Sequence, residues 1–183
     1  VIASLGNKQA AKNTMANAGV PIIPGGKNPI YTVEEGMKEA ETIGYPVIIK
    51  AALGGGGKGM RVADTPADFE EVSVLHRKKT QMAFGDSTMY VEHFVRHPRH
   101  IEFQIMADKF GNVIHLGERD CSIQRNHQKM IEESPCEVIS DELRARMGRG
   151  SGESGQKPAG YENAGTIEFL LDKEGRFLFY GNE

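Results

Sequence analysis

The stretch Ala51-Ala-Leu-Gly-Gly-Gly-Gly-Lys-Gly-Met60 contains five glycines in ten residues and directly follows the apolar run Val47-Ile-Ile-Lys50. Ordering such a run costs conformational entropy, so the segment is either a flexible connector or is ordered by a bound ligand. Glycines lack a Cβ atom, which lets backbone N–H groups approach phosphate oxygens. Because lysines stand on both sides of the glycines, at Lys50 and Lys58, ligand binding is the favoured interpretation.

This glycine-rich stretch differs from the two common phosphate-binding loops. The order GxxxxGK[ST] is absent, and the sequence continues as a strand, Met60-Arg-Val-Ala63, rather than as a helix. The pattern therefore predicts a β-hairpin whose tip closes over a nucleotide, with Lys50 as a point charge for a phosphate.

Length, charge and cysteine usage restrict the class of protein. The 183 residues, 39% of them hydrophobic, suffice for one domain or two small ones. A net charge of -3 without a basic block argues against a nucleic-acid partner. No apolar run approaches the ~20 residues of a membrane span, so we expect no membrane partner. Cys121 and Cys136 form no CxxC motif, which favours a reducing compartment.

Helical and strand patterns alternate along the chain, without internal repeats. Thr32 and Glu35 form a capping-box pattern that starts one helix, and Asp108-Lys-Phe-Gly111 is typical of a turn between two strands. The patterns predict helices at 7–18, 32–44, from 65 onward and at 140–147, and strands at 46–50, 60–63, 89–95, 99–107, 112–118, 165–171 and 176–179.

Polar side chains concentrate in two segments of the second half. In Arg99-His-Ile-Glu-Phe-Gln104, alternation places His100, Glu102 and Gln104 on one strand face, which is either an exposed face or the wall of a site. The segment from Gly117 to Lys129 is either a solvated loop or the lining of an anion pocket, in which Lys129 supplies the cation.

A single carboxylate interrupts the apolar strand Thr166-Ile-Glu-Phe-Leu170. A buried carboxylate is costly unless it is paired, and coordination of a hard cation such as Mg²⁺ is one way to satisfy it. Glu168 is therefore a candidate metal ligand, unless it faces outward.

Six blocks of this sequence, in the same order, resemble biotin carboxylase, the ATP-grasp component of acetyl-CoA, propionyl-CoA and pyruvate carboxylases. The blocks cover nearly the whole chain, and together they are far more specific than one glycine loop. They are Tyr45-Pro-Val-Ile-Ile-Lys-Ala-Ala52, Gly54-Gly-Gly-Gly-Lys-Gly-Met-Arg-Val62, Ala83-Phe-Gly-Asp86, Pro98-Arg-His-Ile-Glu-Phe-Gln104, Gly117-Glu-Arg-Asp-Cys-Ser-Ile-Gln-Arg125 and Ala164-Gly-Thr-Ile-Glu-Phe-Leu170.

The resemblance implies an α+β ATP-grasp fold and an ATP-dependent ligase that carboxylates biotin through carboxyphosphate. It implies the end of an N-terminal α/β domain at 1–23, a small lid domain at 24–95 and the first part of a C-terminal antiparallel sheet domain at 96–183. The implied cofactors are ATP and Mg²⁺ or Mn²⁺, with biotin as the carried substrate. The implied partners are a biotin carboxyl carrier, a carboxyltransferase and bicarbonate, within a homo-oligomeric parent enzyme of the cytoplasm or the mitochondrial matrix.

The resemblance also assigns roles to individual residues. Lys129 is the implied catalytic cation that helps to bind bicarbonate, and Glu168 is the implied metal ligand. The glycines form the lid, residues 92–95 form the adenine hinge, and Met60 and Leu170 sandwich the base. The complete implied nucleotide set is Lys8, Lys50, Gly54, Gly55, Gly56, Gly57, Met60, Glu92, His93, Phe94, Val95, His100, Gln124, His127 and Leu170.

The sequence departs from the family pattern at two places that bear on function. His93 stands where the family usually has Lys, which matters little if the hinge binds adenine through its backbone. Phe179-Tyr-Gly-Asn-Glu183 stands where the family has Phe-Met-Glu-Met-Asn, whose Glu and Asn are metal ligands. The family's catalytic arginine and general-base glutamate fall beyond residue 183, so we expect this chain alone to be inactive.

Two other functions are compatible with these residues. One is another bicarbonate-activating ATP-grasp ligase, of the carbamoyl-phosphate synthetase kind, which shares part of the segment from Glu118 to Arg125. The other is a nucleotide-binding module without catalysis. Asn126-His-Gln-Lys129 and Pro98-Arg-His100 favour biotin carboxylase.

Overall fold

The structure, a computed structural model, describes residues 8–26, 28–51, 60–84, 88–126, 128–154 and 161–182. The implied lid residues Gly54, Gly55, Gly56 and Gly57, together with His127, lie outside these ranges, as does the side chain of Lys8. The chain divides into a small unit, Ile23–Val95, and a large unit made of Val1–Ile22 and Arg96–Glu183.

Helices and strands are mixed in both units. The helices are α1 (Lys8–Asn17), α2 (Val33–Ile43), α3 (Pro66–Phe84) and α4 (Asp141–Arg149), and a π-helical turn, Gly150–Ser154, follows α4. The strands are β1 (Val47–Ala51), β2 (Met60–Ala63), β3 (Met89–His93), β4 (Arg99–Ala107), β5 (Val113–Arg125), β6 (Gln128–Glu133), β7 (Asn163–Leu171) and β8 (Phe177–Asn182). Among the helices of the described ranges, none is long and apolar enough to cross a membrane.

The small unit packs two helices against a three-stranded antiparallel sheet of order β2-β1-β3. Its predicted capping box is confirmed: the Thr32 hydroxyl accepts from the Glu35 N–H, and the Glu35 carboxylate accepts from the Thr32 N–H. The core joins alternate side chains of β1 and β3 to Phe69 of α3, and its members include Val47, Ile49, Met89 and Val91.

The large unit is built on a five-stranded antiparallel sheet of order β6-β5-β4-β7-β8. Side chains on one face of this sheet, such as Phe103 of β4 and Phe169 of β7, are buried together with Met15 of α1 and Met147 of α4. Because successive side chains of a strand point to opposite faces, the even-numbered residues of β4 lie on the other face, which carries the polar groups.

The element predictions failed mainly between residues 119 and 133. Strand β5 continues to Arg125, well past the predicted end at 118, and β6 pairs with it as a strand that the sequence analysis did not predict. The register between β5 and β6 shifts on both sides of Ile123. The polar composition and these irregularities remove the regular alternation from which a strand is recognised.

Substitution of Gly36 tests the packing of the small unit. A Cβ at this position of α2 would lie 2.7 Å from Ile30 Cδ1 and from Phe69 Cζ, both on buried side chains. We expect Gly36→Ala to lower the free energy of unfolding by about 1–3 kcal/mol because of overpacking.

Urea denaturation measures this effect, and Lys38→Ala on the exposed face of α2 is the control. The control should change stability by no more than about 0.5 kcal/mol. Since alanine has the higher helix propensity, a Gly36→Ala protein as stable as the wild type would contradict the packing described.

Candidate functional site

A row of polar residues crosses four strands on the open face of the large sheet. Register places Arg119 of β5 opposite Glu102 of β4, Glu102 opposite Glu168 of β7, and Glu168 opposite Gly181 of β8. Both carboxylates are buried, with Glu102 3% and Glu168 6% exposed. Like charges directly opposite each other on a sheet are destabilising, so this pair requires a cation.

Lys129 of β6 supplies this cation. Its Nζ lies 2.5 Å from Glu102 Oε2 and 2.7 Å from Glu168 Oε1. Burial by itself lowers the pKa of Lys129, but the hydrogen bonds to the two carboxylates outweigh it and raise the pKa above its ordinary value. Burial raises the pKa of Glu102, but the hydrogen bonds from Lys129 and Arg119 outweigh it and lower that pKa. The lysine stays charged, and Glu102 stays ionised.

Glu168 also faces the imidazole of His100, whose Nε2 lies 3.2 Å from Glu168 Oε1 at an angle poor for hydrogen bonding. The Gln124 amide donates to the Cys121 carbonyl at 2.8 Å and contacts His100 Nδ1 at 2.7 Å. Burial raises the pKa of Glu168, but His100 and Lys129 outweigh it and lower the pKa to about 2.

Arg119 lies at the β5 end of the row. Its Nε donates to Glu102 Oε1 at 2.6 Å, and its Nη2 donates to Gln104 Oε1 at 3.1 Å. Beside this group lies an open pocket of about 370 Å³, lined by Glu102, Gln104, Arg119, Lys129, Glu132 and residues 164–166. This pocket therefore presents two cationic side chains that are already tied to carboxylates.

A second acidic group beside the row does not fit a metal ion. Ligand atoms of Glu102, Cys121 and Glu132 lie within 4.8 Å of one another. Arg119 already pairs with both of these carboxylates. Burial, followed by the charges of Glu102 and Glu132, raises the pKa of Cys121 to about 12, so its thiol stays protonated.

The small unit carries its own charged pair on β1 and β3. Lys50 of β1 forms an ion pair with Glu92 of β3. The N–H of His93 donates to the Pro24 carbonyl at 2.7 Å, and the N–H of Phe94 donates to the Pro46 carbonyl at 2.9 Å. These two N–H groups of the predicted hinge are therefore engaged within the unit.

The predicted site residues fall into two groups, one in each unit. The large unit brings together His100, Gln124, Lys129 and Glu168, with Leu170 opposite His100 on β7. In the small unit, Met60 lies opposite Lys50 on the neighbouring strand. Lys50 forms an ion pair with Glu92, the first residue of the predicted hinge, which continues through His93, Phe94 and Val95.

Sequence reasoning did not select Glu102 and Arg119, the remaining members of the row. The signal for Glu102 was present, because alternation already placed it between His100 and Gln104 on the polar face of β4. No comparable signal existed for Arg119, since its segment was not recognised as a strand.

A family model described as the carbamoyl-phosphate synthase L chain, ATP-binding domain, matches residues 7–181. Biotin carboxylase of Nostoc sp. (strain PCC 7120) is 50% identical over 175 residues, which are 96% of this chain and 39% of that protein. Biotin carboxylase 1 of Bacillus subtilis (strain 168) is 47% identical over 179 residues, 97% of this chain and 40% of the relative. The chain thus spans about two fifths of the length of these relatives.

The similar solved structures are also those of biotin carboxylases. A biotin carboxylase–beta-gamma-ATP complex from Campylobacter jejuni is 47% identical with a TM-score of 0.89, covering 100% of this chain and 41% of that chain. The biotin carboxylase domain dimer of Hydrogenobacter thermophilus 2-oxoglutarate carboxylase, with MgADP, ADP and bicarbonate, is 40% identical with a TM-score of 0.88, covering 100% and 40%. The predicted resemblance and the α+β ATP-grasp fold are confirmed.

The pKa of Glu168 makes a prediction about acid stability. Because folding lowers this pKa from 4.5 to about 2, the ionised carboxylate stabilises the fold fully above pH 4.5, and the contribution is lost as the pH falls toward 2. In Glu168→Gln this loss is absent, so we expect the free energy of unfolding to fall by about 2 kcal/mol less between about pH 6 and pH 3 than in the wild type.

Urea denaturation at a series of pH values measures the difference, and the exposed Glu162 provides the control variant Glu162→Gln. The control should follow the wild type. An acid-induced loss of stability in Glu168→Gln equal to that of the wild type would show that Lys129 and His100 do not hold this carboxylate ionised.

Proposed function

Since the chain belongs to the family of carbamoyl-phosphate synthase L chain ATP-binding domains, and since the relatives described above are biotin carboxylases, we propose that it is the nucleotide- and bicarbonate-binding part of an ATP-dependent biotin carboxylase. In the whole protein, a bicarbonate oxygen attacks the γ-phosphorus of ATP, the bond to ADP breaks, and carboxyphosphate forms. The carboxyl group then passes to biotin as phosphate leaves. The chain contributes binding and positioning.

The observation that carries this proposal is Lys129 between two buried carboxylates at the edge of an open pocket. Bicarbonate and the phosphates are anions, and their reaction depends on positioning and on offsetting negative charge. Lys129 offers that charge from a fixed position, because Glu102 and Glu168 hold its ammonium in place. We therefore assign bicarbonate binding to Lys129.

We assign a divalent cation, Mg²⁺ or Mn²⁺, to Glu168. Glu168 is ionised and offers one carboxylate oxygen, the ligand that a hard cation prefers. Gly181 and Glu183 stand where the resemblance places the family's other two metal ligands, so of these three positions only Glu168 keeps the family's ligand. Bound there, the ion would neutralise charge on the nucleotide phosphates.

Each unit carries residues to which we assign nucleotide-binding roles. In the small unit, Lys50 supplies a cation for a phosphate, and the segment from Glu92 to Val95 supplies the adenine hinge. The N–H groups of His93 and Phe94 are engaged with Pro24 and Pro46, so we assign adenine recognition to other groups of this segment. His100, Gln124 and Leu170 contribute from the large unit, and Lys8, Met60, His127 and the glycines at 54–57 complete the proposed set.

The same proposal sets the partners, the domain boundaries and the location of the parent enzyme. The carboxyl group requires a biotin carrier protein or domain and a carboxyltransferase, within a homo-oligomer. We keep the boundaries 1–23, 24–95 and 96–183 for the three domain segments. Cys121 and Cys136 are free and buried, as in proteins of reducing compartments, which supports a cytoplasmic or mitochondrial-matrix location.

A ligase of the carbamoyl-phosphate synthetase kind is the second candidate, because the matching family model carries that description. Both candidates activate bicarbonate with ATP, so the acceptor distinguishes them. Hydrolysis of ATP by the full-length protein should depend on bicarbonate and should be stimulated by free biotin. Stimulation by ammonia instead of biotin would favour the second candidate.

Binding of MgATP to this chain tests the nucleotide assignment. The Lys50→Ala variant lacks a charged contact to phosphate, so we expect its dissociation constant, measured by calorimetry, to rise at least about tenfold. Lys38→Ala removes an equal charge from the exposed face of α2 and should bind MgATP as the wild type does. Equal affinity of the Lys50→Ala and wild-type chains would refute the assignment of Lys50.

A further inference from the structure

We propose that Arg119 is a positioning residue for bicarbonate, which keeps the charge of Lys129 available to the anion by occupying one oxygen of Glu102. This inference rests on the proposed function, in which Lys129 binds bicarbonate. Arg119 itself acts through Glu102 and is not assigned a contact with any reacting atom.

Each oxygen of the Glu102 carboxylate contacts a different cationic side chain. Both Nε and Nη2 of Arg119 lie on Oε1, the former at 2.6 Å, whereas Lys129 Nζ lies on Oε2 at 2.5 Å. Because both donors converge on Oε1, Arg119 anchors that oxygen and leaves Oε2 to Lys129. The position of Oε2, and with it that of Lys129 Nζ, therefore depends on Arg119.

The charge balance of the row also depends on Arg119. Arg119 and Lys129 carry two positive charges, and Glu102 and Glu168 carry two negative charges, so the four groups sum to zero. Without Arg119 the sum is minus one, and Lys129 alone faces two buried carboxylates. Without Arg119, an anion entering the pocket would therefore meet net repulsion. Glu132, which also approaches Arg119, is left out of this sum because it is 44% exposed and solvent screens its charge.

The residues of this charge balance line the pocket in which we propose that bicarbonate binds. Arg119, Lys129 and Gln104 all line it, and Gln104 is held by Arg119 Nη2 at 3.1 Å and by the Gly165 carbonyl at 2.9 Å. Arg119 thus orders two neighbours of the pocket, one charged and one neutral. A purely structural arginine would stabilise the fold without affecting anion affinity.

The chain offers a matched control for this distinction. Arg144 of α4 pairs with Glu118 of β5 at 2.8 Å, and the exposed fractions are 28% and 2%, against 28% and 3% for Arg119 and Glu102. Glu118 is adjacent to Arg119 on β5, so its side chain points to the opposite face of the sheet. Arg144→Gln therefore removes an equivalent ion pair away from the pocket.

The experiment measures the dissociation constants of ¹³C-labelled bicarbonate and of MgADP for the chain and three variants by NMR titration. We expect Arg119→Gln to weaken bicarbonate binding at least about tenfold, while MgADP binding stays within about twofold. Arg119→Lys keeps a positive charge beside Oε1 of Glu102 and should stay within about threefold of the wild type for bicarbonate. Arg144→Gln should lower the thermal midpoint and leave both affinities unchanged.

Each contrary result has a defined meaning. Wild-type affinity for bicarbonate in Arg119→Gln, or an equal loss in Arg144→Gln, would overturn the inference while leaving the proposed function intact. Should Arg119→Gln fail to fold, Arg119→Lys decides, because loss of bicarbonate binding in a folded protein that keeps the charge would also overturn it. A wild-type chain that binds neither MgADP nor bicarbonate would instead overturn the proposed function on which the inference rests.

Discussion

The ammonium group of Lys129 between Glu102 and Glu168 is the interaction on which the large unit depends. Sheet register makes these two buried carboxylates direct cross-strand neighbours, an arrangement that repels without a cation. Lys129 reaches them from β6, the edge strand on the other side of β5. Arg119 then contacts the other oxygen of Glu102, and Nε2 of His100 faces Glu168.

The proposed function gives a reason for this buried cluster of charges, which stability alone does not. An ion pair buried this deeply is weak evidence for stability alone, because desolvation offsets much of the attraction. Here the same groups keep Lys129 charged and Glu168 ionised. The site that we propose for anions and a divalent cation needs these charges before any ligand arrives, because preorganised charges require no rearrangement during the reaction.

Local patterns predicted local structure, whereas long-range register decided the site. The Thr32 capping box and the alternation of β4 depend on neighbours in sequence, and both were predicted. Lys129 and Glu168 were selected as a cation and a carboxylate, but their contact was not, because it arises from pairings across β6, β5, β4 and β7. Arg119 was missed for the same reason, within a segment whose polar composition and register shifts conceal a strand.

The role of Lys129 is tested by the free energy of unfolding of Lys129→Met and of Lys129→Met/Glu168→Gln at pH 7. The single substitution leaves two buried carboxylates facing each other, so we expect it to lower the free energy of unfolding by about 3–5 kcal/mol. Neutralising Glu168 as well should recover at least about 1 kcal/mol, because the remaining carboxylate, Glu102, keeps its pair with Arg119. A single-variant loss below about 1 kcal/mol, or a double variant less stable than the single one, would contradict the central place of Lys129.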